Sequence, residues 1–83
     1  MNKSISKKEI FYLVAKCLKT PLSKINEKTS SKNHEDWDSL SQLNILIALD
    51  KALSGKARNI KELSEADSIK KIVQILNKKK LIK

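Results

Sequence analysis

The chain has 83 residues, which is enough for one small domain with a modest core. A single cysteine and a single histidine exclude an internal disulfide and a His/Cys metal cluster. The sequence contains neither an apolar run of membrane-spanning length nor a secretion signal, so we expect a cytoplasmic protein with no membrane span. One glycine, one proline and 4% aromatic residues favour helices over strands.

The formal net charge of +9 would suit an anionic partner such as nucleic acid, a membrane surface or an acidic protein. Seventeen of the eighteen basic residues, however, are lysine, and they are spread along nearly the whole chain. A proteome that is generally rich in lysine would give such a composition. We favour this compositional bias over nucleic-acid binding as the explanation for the positive charge. A phosphate-contacting surface, if there is one, would lie on the last helix, which carries Lys70, Lys71, Lys78, Lys79 and Lys80.

The first predicted helix covers residues 6–19. Ser6 and Glu9 form the S-x-x-E pattern of a capping box, in which each side chain accepts a hydrogen bond from the other residue's backbone N–H. An apolar stripe at helical spacing follows, and Thr20-Pro21 places the end of the helix. Cys17 lies on that stripe, so we expect a buried core thiol.

Residues 20–37 form a long polar loop. Its apolar residues Leu22, Ile25 and Trp37 are the expected anchors, with a short turn over 22–26. A connection of this length in a small domain is usually functional or disordered. With three anchors, we expect it to pack over the helices.

The second predicted helix, residues 38–53, dominates the chain. Asp38 has the short acceptor side chain of an N-cap. The apolar residues that follow surround much of the helix, which predicts enclosure by other helices on most sides. They are Leu40, Leu43, Ile45, Leu46, Ile47, Ala48, Leu49, Ala52 and Leu53. Ser39 falls in the first turn, beside unpaired N–H groups and the positive end of the helix dipole, where a phosphate ester is well tolerated.

Two more helices are predicted after this one. Ser54-Gly55 ends the second helix, because glycine is the usual residue where a chain turns out of a helix. A short helix is expected at about 60–65. A last helix follows at about 67–79, capped by Asp67 and frayed at its end. The predicted fold is all-α, with three main helices plus a short third helix.

Asp38-Ser39-Leu40, followed by an apolar helix, resembles the acyl carrier protein family, and so does the order of elements across residues 1–83. The resemblance implies a small four-helix bundle that is a single carrier domain. It implies 4′-phosphopantetheine on Ser39, with Leu40 as the apolar residue that anchors the helix start. The carrier itself would not be an enzyme, since the cofactor's thiol does the thioester chemistry. A phosphopantetheinyl transferase would be a required partner.

The chain departs from the family in the polarity of its second helix. Family members carry acidic residues there, whereas the solvent-facing candidates Ser41, Gln42 and Asn44 are neutral, and Trp37 stands where a small residue is common. We therefore expect a dedicated carrier in a specialised pathway, loaded with an acyl or aminoacyl group by its own ligase or synthase. General fatty acid biosynthesis is not expected. Predicted partner-binding residues are Trp37, Gln42, Asn44 and Ile45.

Two other functions remain open. One is a small basic helical module that binds nucleic acid, although the second helix is nearly devoid of positive charge and the chain has only one arginine, Arg58. The other is a degenerate carrier-like domain that acts only as an interaction partner. A self-contained enzyme is not expected, because the sequence shows no nucleophile–base pair. We expect a monomer that binds neither nucleic acid nor metal.

Overall fold

The computed structural model describes residues 4–83, which form four α-helices joined by a long loop and short turns. The helices are α1 Lys7–Leu18, α2 Ser39–Ala52, α3 Lys61–Ser64 and α4 Ile69–Lys78. Single 3₁₀ turns lie at Leu22–Lys24 and Ala57–Asn59. The prediction of a small all-α fold with three main helices and a short third one is confirmed. None of these helices combines the length and apolar character needed to cross a membrane.

Helix α1 begins at the predicted capping box. The Ser6 hydroxyl accepts from the Glu9 N–H at 3.1 Å, and the Glu9 carboxylate accepts from the Ser6 N–H at 3.2 Å. The helix ends at Lys19, whose backbone is left-handed with a φ of 55°. The predicted range 6–19 therefore corresponds to the helix with both of its caps.

The thiol of Cys17 lies at the edge of the core. Its side chain is half-buried and packs against the buried cluster. Burial raises the pKa of the thiol, and the nearby positive charge of Lys16 opposes this only in part. The prediction of a buried thiol therefore holds in part, and the thiol is protonated at neutral pH.

The long loop packs on the helices, as predicted, but only two of its three expected anchor residues are buried. Ile25 and Trp37 are buried, whereas Leu22 is 46% exposed on its 3₁₀ turn. The loop is also joined to the start of α4, because the Thr29 carbonyl accepts from the Ile69 N–H at 3.0 Å. These contacts place the chain just before α2 firmly on the helices.

Helix α2 is enclosed on one side only, so the prediction of enclosure on most sides is wrong. Ile45 and Leu49 are each 1% exposed and face the core. Leu40, Leu43 and Ile47 lie on the other side and are 68%, 52% and 45% exposed. The reason is the number of neighbours: with α3 only four residues long, α2 has packing partners for one face and none for the opposite one.

Both ends of α2 form as predicted. The Asp38 carboxylate accepts from the Ser41 N–H at 2.9 Å. At the other end, Gly55 has a φ of 87°, and its N–H reaches the Asp50 carbonyl at 2.8 Å. A positive φ is readily adopted by glycine, so Gly55 suits the exit from the helix.

Helix α4 is capped by Ser68, and the prediction of Asp67 as its N-cap is wrong. The Ser68 backbone is extended, and its hydroxyl accepts from the Lys71 N–H at 3.1 Å. The Asp67 carboxylate instead pairs with the Lys71 ammonium at 3.0 Å and accepts from the Ser31 hydroxyl at 3.4 Å. Serine and aspartate cap helices equally well, so the adjacent pair left the boundary ambiguous by one residue.

The end of the chain is packed, and the prediction that it frays is wrong. The Ile5 N–H donates to the Leu81 carbonyl at 2.9 Å, and the Lys83 N–H donates to the Ile5 carbonyl at 2.9 Å. Leu81 is buried and Ile82 is half-buried. Two apolar side chains after the lysine run are enough to hold this segment beside the start of α1.

The core lies between the inward faces of all four helices. It also includes Ile5, Ile25 and Trp37 from outside the helices. Its largest fully buried side chains are Ile10, Val14, Ile45, Leu49, Leu53, Leu63, Ile69, Ile72 and Leu76.

The one-sided burial of α2 predicts unequal effects for the same substitution at two of its leucines. Leu49→Ala is expected to lower the free energy of unfolding by roughly 2–5 kcal/mol, because it opens a cavity in the core. Leu43→Ala, at a position 52% exposed, should change it by no more than about 0.5 kcal/mol. Urea denaturation followed by circular dichroism measures both, and equal losses would contradict the orientation of α2.

Candidate functional site

The candidate site is the start of α2, where Ser39 is the first helical residue and is exposed. Asp38 precedes it with an extended backbone, with φ −100° and ψ −171°. Its carboxylate satisfies the Ser41 N–H, and the Ser41 hydroxyl donates back to the Asp36 carbonyl at 2.7 Å. These two hydrogen bonds fix the point at which the helix begins, and with it the position of the Ser39 side chain.

The Asp38 side chain caps α2 as a charged carboxylate. The hydrogen bond from the Ser41 N–H holds the pKa of the Asp38 carboxyl below its usual range. An ionised carboxylate at this place also complements the positive end of the helix dipole. The helix start is therefore stabilised without any use of the Ser39 hydroxyl.

Trp37 and Gln42 connect the site to the rest of the fold. The Trp37 indole N–H donates to the Gln42 side-chain oxygen at 2.7 Å. The Gln42 side-chain nitrogen donates in turn to the Ala66 carbonyl at 2.8 Å, just after α3. One glutamine thus links the loop, α2 and the segment between α3 and α4.

An open cleft of about 330 Å³ lies beside Ser39. Three carboxylates line it in addition to neutral side chains. Asp38 is the cap, Asp67 pairs with Lys71, and Glu65 is exposed at the end of α3. The hydrogen bond with Lys71 lowers the pKa of the Asp67 carboxyl. With three carboxylates and no basic side chain in its lining, the cleft is acidic although the chain is strongly basic.

The predicted partner-binding residues do not form one surface. Trp37 is 4% exposed and Ile45 is 1% exposed, because both pack in the core, so neither offers area to a partner. Gln42 is half-buried, with its amide engaged on both sides. Asn44 alone of the four is exposed.

The Asp38-Ser39-Leu40 motif keeps its serine and its cap at the surface, but Leu40 does not anchor the helix. Its side chain is 68% exposed, and it is followed on the same face by Leu43 and Ile47. Sequence reasoning missed this exposed apolar face. A signal for it was available, since no lysine or arginine occurs from Asn33 to Asp50.

Comparison with known proteins adds no assignment. No family model matches the chain, and no curated protein or solved structure is significantly similar to it. The geometry around Ser39 is therefore the basis for any functional proposal.

The lowered pKa of Asp38 predicts a pH-dependent stability difference between the wild type and Asp38→Asn. Asparagine keeps a capping acceptor at every pH, whereas the folded-state pKa of Asp38 lies below its unfolded value. The extra stability from the carboxylate is therefore fully present above about pH 4, the ordinary aspartate pKa, and is lost as pH falls through the lower folded value.

Urea denaturation of both proteins between pH 7 and pH 3 measures this difference. The wild type should be the more stable protein at pH 7, and the gap should shrink on acidification. A gap that stays constant over this range would show that the charge of Asp38 does not contribute.

Proposed function

We propose that the protein is an acyl carrier protein that holds an acyl or aminoacyl group as a thioester on 4′-phosphopantetheine attached to Ser39. The observation that carries the proposal is the exposed Ser39 hydroxyl in the first turn of α2, next to a cap made by Asp38. A modifying enzyme can reach this hydroxyl without unpacking the core. The proposal includes an acyl-carrier-type bundle as the fold and a phosphopantetheinyl transferase as a partner.

The residues around Ser39 fit a phosphodiester at the helix end better than one inside the cleft. Backbone N–H groups of a first helical turn, together with the dipole, favour an anion at this point. Asp38, Glu65 and Asp67 on the cleft disfavour one further in. When bound, the cofactor would supply the thiol that carries the cargo, and the protein would supply its mount and a surface for partners.

The chain's own residues keep the attachment point rigid. Asp38 fixes the start of α2, while Gln42 ties the first turns of α2 to Trp37 and to Ala66. Neither the Asp38 cap nor the hydrogen bonds of Gln42 involve the Ser39 hydroxyl. A pre-positioned, exposed serine is what a separate transferase needs as an acceptor.

Intact-mass measurement after incubation with coenzyme A and a broad-specificity phosphopantetheinyl transferase tests the attachment. The wild type should gain one phosphopantetheine, and Ser39→Ala should gain none. Ser23→Ala, at an exposed serine on the Leu22–Lys24 turn, is the matched control and should gain one as the wild type does.

Two results would overturn the proposal. One is a folded wild type that stays unmodified beside an active control carrier. The other is a Ser39→Ala protein that still gains the group. The first would favour an unmodified, carrier-like interaction domain.

The neutral surface of α2 predicts that the enzymes of general fatty acid synthesis act poorly on this protein. Enzymes that recognise acidic carriers would find only Asp50 as an acid within α2, and Arg58 already pairs with it at 2.9 Å. Acylation and elongation by such enzymes should be much slower on the modified protein than on an acidic carrier assayed in parallel. Comparable rates would show that these enzymes do not depend on acidic side chains here.

A further inference from the structure

A partly enclosed pocket lies where the start of α1, the long loop and the first turns of α4 meet. Its volume is about 260 Å³, and it shares no residue with the cleft beside Ser39, which is more open. The pocket is therefore a separate concave site. Besides the buried Ile69, its lining consists of Lys7 from α1, Glu27 and Lys28 from the loop, and Lys70, Val73 and Gln74 from α4.

Two contacts between distant segments hold the walls of this pocket together. The Thr29 carbonyl accepts from the Ile69 N–H at 3.0 Å, which joins the loop to the start of α4. The Lys7 ammonium donates to the Glu27 carboxylate, which joins the same part of the loop to the start of α1. The pocket is thus formed by the fold itself, as small-molecule sites usually are.

The inner wall of the pocket is apolar. Ile69 is fully buried, and Val73 is half-buried one turn further along α4. Val73 and Gln74 follow Lys70 by three and four residues, so the three side chains share one face of the helix. The aliphatic part of a lysine side chain can lie along an apolar wall while its ammonium group stays in water. The pocket therefore combines apolar surface inside with polar groups at its rim.

The rim of the pocket is positively charged. Three lysines and one carboxylate surround it, and Lys7 pairs with that carboxylate, which belongs to Glu27. Lys28 and Lys70 are exposed and have no carboxylate within 4.0 Å among residues 4–83. Lys70 also lies in the first turn of α4, where the helix dipole opposes a positive side chain. A residue that conflicts with its local electrostatics is expected mainly at functional sites.

This combination selects a small anion with an apolar body. A nucleic acid would meet the lysines through its phosphates and leave the apolar wall uncovered, whereas a neutral apolar molecule would leave the two ammonium groups unused. The volume lies slightly below the roughly 300–1,000 Å³ of pockets that hold drug-sized molecules, which limits the size of the ligand. An aromatic or aliphatic monocarboxylate of about ten non-hydrogen atoms meets these conditions.

We propose that this pocket is a binding site for a small aromatic or aliphatic monocarboxylate. The carboxylate is held between Lys28 and Lys70, and the apolar body lies against Val73. Binding is non-covalent and does not involve Ser39, so this inference is independent of the proposed function.

Titration of the ¹⁵N-labelled full chain, followed by NMR at constant ionic strength, tests the site with benzoate as the probe. Benzoate should shift the amide signals of Lys70, Val73 and Gln74 with a Kd on the order of 1 mM, and the signal of Ser39 should not move. Benzamide has the same shape without the charge, and acetate has the carboxylate without the ring. Each should bind at least about threefold more weakly, because each lacks one half of the interaction.

Substitution of the two unpaired lysines tests the position of the carboxylate. Lys28→Gln/Lys70→Gln should weaken benzoate binding at least about fivefold, because two exposed charge pairs are lost. Lys78→Gln/Lys79→Gln removes the same net charge at the other end of α4, outside the pocket, and should stay within about twofold of the wild type. Circular dichroism and urea denaturation establish that both variants are folded.

Four results would overturn this inference. Benzamide that binds as tightly as benzoate would show that the charge is not used, and acetate that does so would show a simple anion site. Equal losses in the two double variants would show an effect of net charge alone. Signals that shift elsewhere, or none that shift up to roughly 50 mM benzoate, would show that the pocket does not take this ligand. All of these measurements use unmodified protein, so their outcome leaves the test of Ser39 unaffected.

Discussion

The hydrogen bond from the Ser41 N–H to the Asp38 carboxylate fixes the residue at which α2 begins, and the position of Ser39 depends on it. A helix turns by about 100° per residue, so Ser39 lies on a different side of α2 from Ile45 and Leu49. Ile45 and Leu49 point inward and pack in the core, and Ser39 is left at the surface. Asp38 thus fixes the start of the helix, while the packing of apolar side chains decides which face of α2 meets the core.

Gln42 connects the start of α2 to two other segments of the chain. Its amide accepts from the Trp37 indole and donates to the Ala66 carbonyl, so one side chain satisfies two polar groups at the edge of the core. A buried indole N–H or a backbone carbonyl left without a partner would be costly. The network gives the loop and the segment before α4 fixed positions relative to Ser39, although α3 is too short to hold them by packing alone.

The parts of the fold that local chemistry dictates could be predicted from the sequence. The capping box at Ser6, the aspartate cap of α2 and the glycine exit at Gly55 each depend on residues within a few positions of one another. One error was local, since two adjacent capping residues left the start of α4 ambiguous. The other errors arose where distant segments decide. Whether Leu40 is buried depends on how much of α3 exists to cover it, and whether the chain end frays depends on Ile5, far away in sequence. The same division holds at the candidate site. Ser39 lies exposed in the first turn of α2, as predicted, while Trp37 and Ile45 were assigned to a surface that they do not form.

The positions of the basic residues along the chain are more informative than its net charge. A compositional bias toward lysine should add basic residues wherever solvent allows, yet the exposed positions of α2 and the loop before it hold none from Asn33 to Asp50. A nucleic-acid-binding protein would place its basic residues on its best-formed exposed helix, whereas the longest helix here is the one that lacks them over most of its length. Compositional bias therefore accounts for the lysines elsewhere, but not for their absence from the stretch of sequence that contains Ser39.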